Sequence, residues 1–144
     1  MATGTINKYC TKSETNSLIS NLNTGITNAS PSSVSVPTNT LTNIASINVK
    51  KGMNLIVGNA NFSASGAGST GYRQVGVAEN TTSEKLALIA LTRNWGSNTN
   101  TDTTDYVCFL YNASANKTLY LNVKHKAGTT LTVTGRMQAY NLKS

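Results

Sequence analysis

The chain has 144 residues, enough for one domain with its own core plus a short appendage. Only 12% of the residues are charged, whereas about two-fifths are Asn, Thr or Ser, so solubility rests on neutral polar groups and the bias favours strands joined by many turns. The net charge of +7 is dispersed, with Lys50-Lys51 the sole adjacent basic pair, which speaks against nucleic-acid binding; no apolar run reaches helical membrane-spanning length, which speaks against membrane insertion.

The first twenty residues hold no apolar signal-peptide core. The chain is therefore expected to be made in the cytosol, or to be a fragment of something longer. Residues 11–26 read as the one convincing helix. Thr11-Lys12-Ser13-Glu14 fits a capping box, in which the hydroxyl takes the N3 amide and the Glu reaches back. Leu18, Leu22 and Ile26 recur every four residues with Ile19 beside them, a narrow apolar stripe too short to stand alone. Such a stripe packs on its own domain or on copies of itself.

Residues 27–40, with Pro31 and Pro37, read as a linker with a short strand at 34–36. From Leu41, alternation sets Leu41, Ala45, Ile47 and Val49 on one face. Lys50-Lys51-Gly52 turns the chain, and 53–64 forms the next strand, with mixed faces. Residues 63–71 make a Gly-rich loop, 72–78 a strand, 79–84 a polar loop and 86–92 an apolar strand. Residues 93–104 form the longest loop, around Trp95, and 105–112 another strand. Cys108 lies in its apolar run and is expected as a buried thiol. Cys10 and Cys108 have no metal spacing, and the sequence argues no disulfide between them.

The clearest periodicity is at the C-terminal end. Leu119, Leu121 and Val123 alternate with polar residues, as do Leu131, Val133, Met137 and Ala139, and Gly128 lies between the runs. Residues 117–142 are therefore expected as a half-buried β-hairpin. Seven or eight short strands without βα alternation indicate an all-β sandwich or barrel rather than a parallel sheet.

Two stretches carry a resemblance. Lys8-Tyr9-Cys10-Thr11-Lys12-Ser13-Glu14 followed by Leu18-Ile19 resembles a segment that recurs in bacteriophage tail-fibre proteins. Ile47-x-Val49-x-x-Gly52-Met53-x-Leu55-x-x-Gly58, Phe62, Gly71-Tyr72-Arg73-x-Val75-x-Val77, Leu119-x-Leu121-x-Val123, and Leu131-x-Val133 to Ala139-x-x-Leu142 together resemble the C-terminal head domain of phage receptor-binding proteins. Met53 stands where that family commonly has Trp, and His125-Lys126-Ala127-Gly128 replaces its usual Gln-Asn-Ser-Gly turn. The resemblance implies an antiparallel jelly-roll β-sandwich similar to the tumour-necrosis-factor and C1q folds, assembled as a homotrimer. It implies residues 1–30 as helical stem and linker and 31–144 as head. It also implies a place in the virion, in a tail fibre or baseplate, with other tail proteins as neighbours and a bacterial surface polysaccharide or teichoic acid as receptor. A structural virion component, such as a head fibre or decoration protein, is the alternative.

Hydrolysis of a polysaccharide needs two carboxylates at fixed separation. Glu79 with Glu84 and Asp102 with Asp105 each read as solvated acids of one polar loop, with nothing to raise a pKa. His125 reads as a lone surface residue at a strand end. Asn98, Asn100, Asp102 and Asp105 are rich in oxygen but lack the Gly and closing Glu of a calcium loop. The expectation is a protein with no enzymatic activity, metal or cofactor. For binding, Trp95 in a polar loop offers a flat face for a sugar ring beside Asn and Arg donors, unless it folds back as a core plug or trimer contact. The candidate ligand-binding residues are Tyr72, Arg93, Asn94, Trp95 and Asn98. Strand parity sets the loops 63–71, 93–104 and 126–129 at one end of the sandwich, opposite the N-terminal helix if 34–36 is a strand.

Overall fold

The computed structural model describes residues 26–63, 71–81, 89–95 and 102–142, with backbone only at 26, 30, 31 and 89–95. Eight strands follow in order: β1 (Ile26–Val36), β2 (Thr42–Val49), β3 (Gly52–Phe62), β4 (Gly71–Ala78), β5 (Ile89–Trp95), β6 (Thr103–Ala113), β7 (Lys117–His125) and β8 (Leu131–Asn141). They form two four-stranded antiparallel sheets. Sheet I runs β1-β8-β3-β6 and sheet II runs β2-β7-β4-β5. The protein is thus an all-β sandwich, and every connection except β4–β5 crosses from one sheet to the other.

Period-2 alternation explains the core. Along β3, Asn54, Ile56, Gly58, Ala60 and Phe62 are buried, while the residues between them face outward. Along β8, Leu131, Val133, Gly135, Met137 and Ala139 are buried. Sheet II supplies Ile47, Val75, Val77, Leu119, Leu121 and Val123 to the same core. Burying one face of each sheet removes apolar area from water at about 25 cal/mol per Å².

Four expectations change. The segment 117–142 is no hairpin: β7 belongs to sheet II and β8 to sheet I. Alternation reports which face of a strand is apolar, not which strand it pairs with. Here the two apolar faces oppose each other across the core, and residues 126–130 carry the chain between sheets. β1 begins at Ile26, not at residue 34, and pairs with β8 along its length except at a bulge between Ala29 and Ser32. It is an edge strand, where the bulge accommodates Pro31 without a lost ladder bond. Ile26 therefore starts a strand instead of ending a helical stripe; the rest of the expected helix lies outside the described residues. Cys108 is exposed, because β6 turns its odd-numbered residues inward. Finally, Arg93, Asn94 and Trp95 are the last residues of β5, paired with β4 up to Gly71 opposite Trp95, and do not belong to a loop.

The chain enters at Ile26, opposite Tyr140, and β1 ends at Val36, opposite Leu131. The connections β1–β2, β3–β4, β5–β6 and β7–β8 therefore leave from the end remote from the point of entry. This agrees with the strand-parity expectation.

Candidate functional site

The remote end is cross-tied by hydrogen bonds between its connections. Asn39 N–H donates to the His125 carbonyl at 2.6 Å, Lys126 N–H to the Tyr72 carbonyl at 2.9 Å, and Ser63 N–H to the Thr132 carbonyl at 2.8 Å. Gly128 N–H reaches Thr38 Oγ1 at 3.3 Å. Asn39 adopts φ 59°, the left-handed region that Asn tolerates in a turn. Gly71 has φ 146°, and a Cβ there would run into the Lys126 carbonyl. Glycine is what lets the start of β4 approach the β7–β8 connection this closely.

Beneath this rim lies a polar floor that the sequence reading missed. His125 is fully buried, not a surface residue. Its Nε2–H donates to the Val36 carbonyl at 2.8 Å, while Nδ1 accepts from Ala127 N–H at 3.2 Å. Both ring nitrogens are engaged, so the imidazole is a neutral staple joining β7 to β1 rather than a base facing solvent. Burial pushes its pKa down, the Val36 carbonyl opposes this, and Arg73 adds to the depression. Arg73 sits opposite His125 on the neighbouring strand. It is itself buried, with its guanidinium 5.9 Å from the centroid of the Phe62 ring. Burial lowers the Arg73 pKa, and the charge of Asp105 raises it.

Asp105 is buried in β6, so it does not share a solvated loop with exposed Asp102 and does not face outward to a loop cation. Glu79 is exposed and forms an ion pair with Lys117 at 3.1 Å while accepting from Tyr111 at 2.6 Å. The Tyr111 hydroxyl and then the Lys117 ammonium hold it below the usual carboxylate range. Asn100 and Glu84 lie outside the described residues.

The candidate binding residues fall as follows. Tyr72 is half-buried at the start of β4, and its hydroxyl donates to Asn39 Oδ1 at 3.4 Å. Asn94 stands opposite Tyr72, and Arg93 stands opposite Arg73, one step out of phase. Neighbouring strand residues alternate faces, so Arg93 and Asn94 occupy positions of opposite parity. Trp95 is the register partner of Gly71, and it is Gly71 that the Lys126 carbonyl approaches. Asn98 lies outside the described residues. The structure adds Thr38, Asn39 and Lys126 to this rim, all exposed. Pro37 was the one signal in the sequence for Thr38 and Asn39, whereas strand parity had already set the 126–129 loop, with Lys126, at this end. Together the rim offers an aromatic ring, amide and hydroxyl groups and one ammonium. That set suits hydrogen bonding and stacking against a polar ligand.

No protein-family model matches the chain, and no curated protein matches its sequence. Among solved structures it is similar to one reported as "Bacillus endospore appendages form a novel family of disulfide-linked pili", at TM-score 0.42 and 13% identity, covering 82% of this chain and 89% of that one. It is also similar to a chain in the structure of the infectious bursal disease virus Gx strain, at TM-score 0.52 and 14% identity. That match covers 81% of this chain but only 32% of the viral one, and the likeness is one of fold alone, a β-sandwich.

Proposed function

We propose that this chain is a virion attachment protein whose jelly-roll head binds a bacterial surface glycan. The strand orders 1-8-3-6 and 2-7-4-5 support the jelly roll, an architecture used by viral capsid and lectin domains. The observation that carries the function is the polarity of the molecule. The chain enters at one end, and the start of β4 with Tyr72 and the connections that carry Asn39 and Lys126 are displayed at the other. A fibre tip meets its receptor in this way, with the stem behind and the loops in front. The receptor class is a surface polysaccharide or a teichoic acid, met by neutral donors, a tyrosine ring and Lys126. The head works as a homotrimer beside other virion tail proteins.

Adsorption to host cells and binding to a glycan array test this reading. Tyr72→Ala with Lys126→Ala should lower binding about tenfold or more, since a lost stacking contact and a lost charge-assisted hydrogen bond each contribute about 1–2 kcal/mol. Normal adsorption by the folded double variant would rule the rim out as receptor site. The second reading is a structural virion component. It is favoured by the outer face of sheet I, where Leu110 and Tyr106 of β6 stand 62% and 64% exposed, a surface suited to assembly. Virion assembly that fails while glycan binding was never present would select it.

A further inference from the structure

His125 is the residue through which the parts of the rim are tied together. Its main-chain carbonyl accepts from Asn39 N–H at 2.6 Å, and the next amide, Lys126 N–H, donates to the Tyr72 carbonyl at 2.9 Å. Its ring donates from Nε2 to the Val36 carbonyl at 2.8 Å and accepts at Nδ1 from Ala127 N–H at 3.2 Å. Gly128 N–H closes the same connection onto Thr38 Oγ1 at 3.3 Å. Of the groups the rim displays, Asn39 is hydrogen-bonded to His125, Lys126 follows it in the chain, and Tyr72 is bonded to the Lys126 amide. A change at this one imidazole therefore reaches all three.

We propose that His125 is a proton switch for the rim: neutral, it locks residues 126–130 onto β1 and the start of β4, and protonated, it releases them. The consequence, that receptor binding is lost in acid, rests on the rim being the receptor site. A backbone N–H can only donate and a carbonyl can only accept, so the two partners of the ring admit one form of it, the neutral Nε2–H tautomer. A proton taken from solvent onto Nδ1 sets two donors against each other across 3.2 Å and breaks the bond to Ala127. It also places a second cation in the core, opposite Arg73 on the neighbouring strand. Asp105, whose charge acts on Arg73, is the one buried carboxylate among the described residues, so two buried cations would share it. Swinging the ring out relieves both conflicts and takes the Lys126 connection with it.

The surroundings of the ring single it out. His125 is the one histidine of the chain, the residue type whose charge ordinarily changes between pH 5 and pH 8. On β7 its charged neighbours are Lys124 and Lys126, and on β4 the ionisable residues are Tyr72 and Arg73. Arg93 of β5 stands opposite Arg73, and β6 brings Asp105, preceded by exposed Asp102. β1, β2, β3 and residues 37–41 contain no ionisable side chain, and β8 carries Arg136 and Tyr140 at outward positions. Residues 64–70 and 96–101 contain none either. Burial disfavours the imidazolium, the Val36 carbonyl favours it, and Arg73 disfavours it.

Nitrogen-15 NMR of the full chain, titrated from pH 7.5 to pH 4.5 without ligand, tests the switch. At the upper pH the ring should show Nε2–H alone. As pH falls, Nδ1 should take up a proton with a midpoint below 6.5, and the amides of Asn39, Lys126 and Ala127 should shift with that same midpoint. The amides of Ile56 and Ala139, paired in the core, should stay fixed. His125→Asn sets an acceptor where Nδ1 stood and cannot titrate, so its rim amides should not move. Rim amides that ignore the titration of the ring, or a ring that stays neutral down to acid unfolding, overturn the proposal, and the wild type decides this alone if the variant fails to fold. Calorimetry with an oligosaccharide released from the host wall reads the consequence. Two pH units below the midpoint only about 1% of rims are closed, so the wild type should bind about 100-fold more weakly and His125→Asn should not. Binding that keeps its strength through the midpoint overturns the gate and leaves the receptor reading standing. Rim amides that titrate in a protein with no binding at any pH uphold the switch and refute the receptor reading.

Discussion

His125 shows how a single side chain can report on the fold. Its imidazole is neutral, buried, and tied through both nitrogens to Val36 and Ala127. Burial, reinforced by Arg73, holds its folded pKa below the ordinary value of 6.5. The unfolded chain then binds a proton at a pH where the folded chain does not. Stability therefore rises with pH across that window. It is fully present above the unfolded pKa and is lost as pH falls below about 6.5 towards the folded pKa. Thermal melts should show a midpoint that drops between pH 7.5 and pH 5. In His125→Gln the absolute stability should be lower but that part of the slope should vanish. An unchanged slope in the variant would mean the pH dependence arises elsewhere. In the sequence, His125 stands between Lys124 and Lys126 and looks exposed. Only the crossing of the chain between sheets turns it inward, and no local signal encodes that crossing.

At the scale of elements, β4 and β6 belong to opposite sheets, and each sends one ionisable residue into the core near the loop end. Arg73 comes from β4 and Asp105 from β6, with Phe62 of β3 beneath the guanidinium. Asp105→Ala would leave the Arg73 charge in the core without its counter-charge, and breaking a buried pair in this way costs about 3–5 kcal/mol. Arg73→Met combined with Asp105→Leu should recover most of that loss, because an apolar pair of similar volume carries no desolvation penalty. Chemical denaturation of the three proteins measures both effects. A double variant as unstable as Asp105→Ala would show that the polar network is needed for more than charge balance. The strands themselves were legible wherever alternation was strict, as along β7 and β8. Their pairing was not, since period-2 patterning is identical for a hairpin partner and for a strand across the sandwich. β1 was nearly invisible because an edge strand needs few apolar residues, and Ser, Thr, Asn and Pro otherwise signal a linker. The gathering of loops at one end was readable from strand parity, whereas the buried floor beneath them was not.

At the scale of the whole molecule, the proposed rim and the apolar outer face of sheet I are separate surfaces, and this makes their contributions separable. The rim lies at the end remote from Ile26, while the most apolar row of sheet I lies near the end where the chain enters. Leu110→Lys with Tyr106→Lys puts charge on two exposed positions of that face; where this separates the heads of the proposed homotrimer, the affinity of each head for a soluble, monovalent oligosaccharide should be unchanged. Adsorption to a cell surface should nonetheless fall by about 10²-fold or more, because linked heads turn second and third contacts into intramolecular events. Tyr72→Ala with Lys126→Ala should do the reverse in mechanism: the trimer persists, and the monovalent affinity falls. Isothermal titration with the oligosaccharide, set beside cell adsorption for both variants, separates the two. If dissociated heads lose monovalent binding as well, the ligand contacts more than one head at once, and the site lies between copies rather than on the rim of one.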